Sequence, residues 1–186
     1  EDQRKMLSEQ RDNARLDSRT READRAHSDA TAARREANLA NMDTEIALQQ
    51  AADLQRQIAE LNAKATDRGL VVTLGDLLFD TGKATLKGGA ASHLGKLAAF
   101  LNQYPDRTVM IEGHTDNVGS EDFNLGLSQR RANSVMTYLV SQGVASNRLA
   151  AYGKGENFAI SDNESASGRQ QNRRVEIIIA NTAARQ

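Results

Sequence analysis

Apolar residues along this chain keep two different periods, and the change falls near residue 69. Before it, stepping alternately by three and four from Leu16 to Ala65 lands almost always on small or aliphatic residues. Most of these positions are alanine; Arg19 and Thr44 interrupt the pattern, and after Leu16 bulk returns only at Leu54, Ile58 and Leu61. A repeat of this period is a coiled-coil seam. Small seam residues allow close helix approach but bury little area per turn. The spacing predicts one long helix or a helical hairpin, packed on a partner. As a single helix, ~65 residues at 1.5 Å rise would reach roughly 100 Å.

Beyond residue 69 the pattern alternates between strands and helices. Residues 69–74, GLVVTL, are β-branched and predict a strand, and 76–80 form a short apolar stretch entering a turn at Thr81–Gly82. Leu86, Ala90, Leu94, Leu97, Ala98 and Leu101 recur at helical spacing, predicting a helix over 84–103 that Tyr104–Pro105–Asp106 ends. Residues 107–113 predict a strand with Val109 and Ile111 on one face. Ser120, followed by Glu121 and Asp122, has the form of a helix N-cap with an acidic first turn. That helix should run to about Gln142, bury Leu125, Ala132, Val135 and Leu139, and stop at Gly143. A short strand at 148–153, a polar stretch at 155–172 with one helical turn, and a central strand VEIIIA at 175–180 complete the order. Such an order predicts an α+β or α/β sheet with packed helices.

Composition sharpens the division. Residues 1–68 contain no Gly, Pro, Phe, Tyr or Trp, whereas all 13 glycines and the single proline come later. The expected domains are therefore a helical stalk, 1–68, and a globular domain, 69–182. Net charge is −1 and aromatic content 4%, which argues against a nucleic-acid partner. There is no cysteine, so disulfides and thiolate chemistry are excluded. No apolar run approaches the ~18 residues of a membrane span. The chain opens on EDQRKM inside a helical pattern, so a trimmed N-terminus that has lost a targeting segment or anchor is expected.

The stretch IEGHTDNVG at 111–119 carries the concentrated chemistry. His114 and Asp116 alone are too few for a closed zinc site, and no HExxH is present. No cofactor or metal is expected, and His114 is expected to bond a neighbouring backbone group through its ring. There is no GxSxG nucleophile elbow. Glu112 and Asp116 form a conceivable carboxylate pair, but nothing in the sequence marks either as desolvated, so an enzyme is not expected. GKGEN at 153–157 lacks the arrangement of a phosphate loop. A binding constellation remains. Asp116 ends a strand, and Asn124 and Arg131 lie seven apart on the next helix, about 20° apart around it. A carboxylate and a guanidinium across a gap can read a zwitterion, the first taking an ammonium and the second a carboxylate. They can equally form a salt bridge with each other.

Three segments, LLFDTGKATL (77–86), VMIEGHTDNVGSEDFNLGLSQRRANSV (109–135) and GRQQNRRVEIII (168–179), with the spacing among them, resemble the OmpA-like domains that bind peptidoglycan. The resemblance covers about 70–180. It implies an α+β fold with a mixed sheet and a pocket for the diaminopimelate of the stem peptide, whose free end is a zwitterion. On it, Asp116 meets the ligand's ammonium, Arg131 meets its carboxylate, and Asn124 lines the pocket. Asp80 matches an acidic residue beside the pocket, and Arg173 matches the family's closing motif. Gly82 departs from members that carry a polar residue there. The helical segment is similar in composition to those ahead of this domain in some Gram-negative envelope proteins. The resemblance implies a non-catalytic tether between wall and outer membrane, in the periplasm. The alternative is an envelope scaffold, such as a flagellar stator component, that self-associates through residues 16–65.

Overall fold

The computed structural model describes residues 2–80 and 82–181. Glu1, Thr81 and residue 182 of the expected domain boundary lie outside the described residues. The chain divides into two compact units, Glu1–Leu54 and Gln55–Gln186.

Helix α1 spans Asp2–Glu60 as one continuous element, not a hairpin. Its residues are strong helix formers, and no glycine or proline interrupts it. None of its residues is buried. The helix ends where Asn62 adopts a left-handed conformation, φ 53°, and the Ala63 N–H bonds back to the Ile58 carbonyl. Strand β1 (Lys64–Thr66) follows at once and pairs with β2 (Gly69–Gly75). The compositional break at Gly69 thus falls inside a hairpin, because three exposed residues are enough for a strand when a neighbour supplies the ladder.

The rest alternates around one sheet. A 3-10 turn, Asp76–Leu78, leads to α2 (Ala90–Gln103), β3 (Val109–Gly113), α3 (Glu121–Ser141), β4 (Leu149–Gly153), α4 (Ala166–Asn172) and β5 (Arg174–Ile179). Strand order is β1-β2-β5-β3-β4, with β3 and β4 parallel and the other pairs antiparallel. The VEIIIA strand is central, as its apolar run predicts. Cross-strand partners share a face, so Ile177 and Ile179 stand with Ile111, Val109, Val72 and Leu70. All are buried, as are Leu94, Leu97 and Leu101 of α2 and Val135 and Leu139 of α3. Each such side chain contributes about 1.5–3 kcal/mol on burial.

Two expectations change. Helix α2 begins at Ala90 rather than 84, because Gly88 and Gly89 precede it and Leu86 bridges to Phe79 instead. Leu125 is 48% exposed. The buried stripe of α3 runs through Asn124, Ser128 and Arg131 as well as Leu127 and Ala132. Three polar side chains occupy what an apolar period would assign to the core.

Helix α3 lies close against the end of β3 and β4. Gly113 and Gly153 are register partners there. A Cβ on Gly113 would overlap the Ser128 carbonyl, and one on Gly153 would press on the Ser128 hydroxyl and the Gln129 amide. Ser128 uses the space to accept the Gly155 N–H at 2.9 Å.

The opposite face of the sheet carries charge. Arg68, in the β1–β2 turn, grips Glu112 at 2.6 and 3.1 Å, with Lys154 at 3.5 Å, and Arg174 holds Glu176 at 2.7 Å. Burial alone would raise the Glu112 carboxyl, but Arg68 and Lys154 outweigh it and hold it below the usual range. His114 lies among them, buried, and its backbone N–H bonds the Arg174 carbonyl. Its ring differs from expectation: neither nitrogen has a hydrogen-bond partner among the described residues. Burial first, and then the Arg174 charge, push its pKa down to about 4.

Gly113→Ala should lower stability in urea by about 3 kcal/mol, since a rigid backbone must give way. His114 makes stability depend on pH. With a folded pKa below the ordinary 6.5, the folded state binds fewer protons, so stability falls as pH drops below 6.5 and levels near 4. The wild type should lose about 2 kcal/mol between pH 7 and pH 5 from this group, and His114→Gln should show a flatter profile in urea titrations.

Candidate functional site

Three strand ends meet at one rim of the sheet. Gly75, the last residue of β2, is paired with Arg174, the first of β5. Gly113, the last of β3, is paired with Val175. The residues just past these ends, Asp76, Arg173 and Asp116, therefore converge from distant parts of the sequence.

Arg173 joins the other two. Its Nε donates to Asp76 Oδ2 and its Nη1 to Asp116 Oδ2, both at 2.8 Å. Burial works against its charge, but the bonds to Asp116 and Asp76 prevail, and its pKa is raised. Asp116 is held in place by an Asx turn, its Oδ1 accepting the Val118 N–H at 3.0 Å. The Ser120 hydroxyl caps α3 as the sequence predicts, accepting the Phe123 N–H. The cap starts the helix so that Asn124 lies against the turn.

Asn124 is 1% exposed and donates to the Asp116 carbonyl at 3.2 Å and to Glu156 Oε2 at 2.7 Å. Arg131, two turns further along, is 2% exposed. Its Nε donates to the Lys83 carbonyl at 2.9 Å and its Nη2 to the Asp80 carbonyl at 3.5 Å. The guanidinium sits over the Phe79 ring, 5.2 Å from its centroid. Burial lowers its pKa, while the Asp76 and Asp116 charges oppose that shift.

The direct Asp116–Arg131 salt bridge, one of the two sequence-level possibilities, is not formed. Asp116 pairs with Arg173 instead, and Arg131 is anchored by backbone carbonyls within the same electrostatic neighbourhood. Asp80 brings its carbonyl to Arg131, but its carboxylate is 55% exposed and faces Lys83 and Lys87 at 3.8 and 3.5 Å. Sequence reasoning missed Asp76 and Glu156. Asp76 lies 97 positions from Arg173, and only β2–β5 pairing reveals the contact. Glu156 lies in a loop whose composition said nothing of Asn124.

A cluster of possible cation ligands lies on the charged face of the sheet. Glu112, His114 and Glu176 place one potential ligand atom each within 4.8 Å of one another. Arg68, Lys154 and Arg174 already neutralise both carboxylates, so a metal would meet three competing cations. The carboxylates Glu112 and Asp116 are buried, which nothing in the sequence marked, and each is paired with an arginine.

Residues 78–173 match the OmpA family. Outer membrane porin F of Pseudomonas aeruginosa is 44% identical over 102 residues, 54% of this chain and 29% of the porin. The peptidoglycan-associated lipoprotein of Mesorhizobium japonicum is 38% identical over 128 residues, 67% of this chain and 75% of that one. Among solved structures, a putative MotB-like protein from Desulfovibrio vulgaris superposes with a TM-score of 0.63 at 26% identity, covering 72% of this chain and 94% of that one. This chain thus spans less than a third of the porin and three quarters of the lipoprotein. With its mixed sheet and packed helices matching in both sequence and structure, the chain belongs to the OmpA family.

Proposed function

We propose that the globular unit is a non-catalytic peptidoglycan-binding module, and that the sheet rim holds the zwitterionic end of diaminopimelate in the stem peptide. The observation that carries this reading is the convergence of Asp116, Arg173, Asn124 and buried Arg131 on one rim. Opposite charges are fixed there by a cap, a turn and backbone carbonyls before any ligand arrives, which reduces the ordering cost of binding. An ammonium suits Asp116, and a carboxylate suits the planar guanidinium of Arg131. The name of the lipoprotein relative supports the ligand class. The chain would work in the periplasm, between outer membrane and wall. Among the described residues no helix is long and apolar enough to cross a membrane.

Helix α1 favours an added role in self-association. Leu39, Met42 and Ile46 are exposed at i, i+3 and i+7, next to the alanine seam. Joining copies would multiply contacts with a continuous wall and raise retention through effective concentration.

Asp116→Ala should abolish pull-down by purified sacculi with an unchanged circular dichroism spectrum. Arg131 is buried, so Arg131→Lys is the better probe: it keeps the charge and loses the fork. It should weaken binding about tenfold or more. A stem peptide carrying lysine in place of diaminopimelate should bind more weakly by a similar factor. Wild-type affinity in both variants would refute this site. For α1, the double variant Leu39→Glu, Ile46→Glu should sediment as a monomer while the wild type sediments as an oligomer.

A further inference from the structure

We propose that Asp76, rather than Asp116 alone, accepts the ligand's ammonium group, making it a specificity-determining residue of the rim. The inference rests on the zwitterion-binding role given to that rim above.

Acceptor capacity decides between the two carboxylates. An ionised carboxylate offers about four lone-pair positions across its two oxygens. Both oxygens of Asp116 are engaged, Oδ1 by the Val118 N–H and Oδ2 by Arg173. Asp76 has one oxygen engaged, Oδ2 with Arg173 Nε, while its buried Oδ1 has no hydrogen-bond partner among the described residues. A buried charged acceptor without a donor is costly to the folded protein, and a ligand that supplies the donor recovers that cost. The Asp116 position is also rigid, because its Asx turn sets the entry to α3. Asp76 begins a short 3-10 turn, Asp76–Leu78.

Charge balance points the same way. Asp76 and Asp116 share Arg173, and Arg131 lies close enough for Asp76 to oppose the effect of burial on it. These four groups sum to zero. A neutral zwitterion adds one charge of each sign without disturbing that balance, whereas a ligand with a blocked amine adds an uncompensated anion. Arg173 stands between the two carboxylates, with its side chain 22% exposed and one nitrogen on each. In the proposed complex the ammonium reaches Asp76 Oδ1 while Arg173 keeps Nη1 on Asp116. Asp76 therefore serves as the discriminator for a free amino group, and Asp116 as the fixed post that holds Arg173.

The test is a calorimetric titration of the full chain with two stem peptides, one with diaminopimelate free at its terminal amine and carboxylate, the other with that amine acetylated. Wild type should prefer the free amine by about tenfold or more. Asp76→Asn, close in size and shape, should bind the free-amine peptide more weakly and prefer it by less than about threefold; Asp76→Glu should restore much of the preference. If Asp76→Asn does not fold, the carboxyl carbon-13 resonance of Asp76 in the wild type gives the answer, shifting with the free-amine peptide and not with the acetylated one. Full amine discrimination in Asp76→Asn, or a ligand-induced shift confined to Asp116, overturns the inference while leaving the rim as the binding site. Failure of wild type to bind either peptide overturns both.

Discussion

One guanidinium holds the rim together. Arg173 bonds two carboxylates that enter from different strands, each at 2.8 Å, and all three groups are largely withdrawn from water. Removing one partner from such an arrangement leaves an uncompensated buried charge, at a cost of about 3–5 kcal/mol. The ends of β2, β3 and β5 are thereby tied to one another at one rim of the sheet. Asp116, and Asn124 through the Asp116 carbonyl, take their positions from that edge.

The sheet's two faces solve different problems. One is a packed aliphatic layer under α2 and α3, admitting α3 closely because Gly113 and Gly153 carry no side chain. The other is an ion-pair lattice of Arg68, Glu112, Lys154, Arg174 and Glu176 around a neutral, buried His114. The lattice lets charged residues sit two apart from apolar ones on the same central strands. It also ties Arg68 of the β1–β2 turn to β3, across β2 and β5.

Much of the fold was legible. The aliphatic run of β5, the helical spacing of α2, the Ser120 cap and the glycine-free α1 each express a local rule that tertiary contacts reinforce. The failures have specific physical causes. An apolar period places Leu125 in the core because it takes no account of Asn124 and Arg131, which pack inward by satisfying their hydrogen bonds. The same period starts α2 too early because Leu86 fits it, but two glycines make the helix costly there and a bridge to Phe79 competes. Composition also does not register the three-residue strand β1, Lys64–Thr66, that precedes Gly69.

For the site, residues close in sequence were legible and residues brought together by strand pairing were not. Asp116, Asn124 and Arg131 fall within 16 positions, so a strand, a turn and a helix place them by local geometry alone. Arg173 and Asp80 entered through the resemblance, and the structure gives them different parts: Arg173 bridges carboxylates, whereas Asp80 offers its carbonyl and turns its carboxylate to two lysines. Asp76 and Glu156 carried no local signal. The sequence by itself determined which segments are helix or strand, and that a carboxylate and a guanidinium share one stretch. Only the tertiary structure decided which charges meet. Ion pairing depends on separations of a few ångströms, and antiparallel register sets those between residues nearly a hundred positions apart.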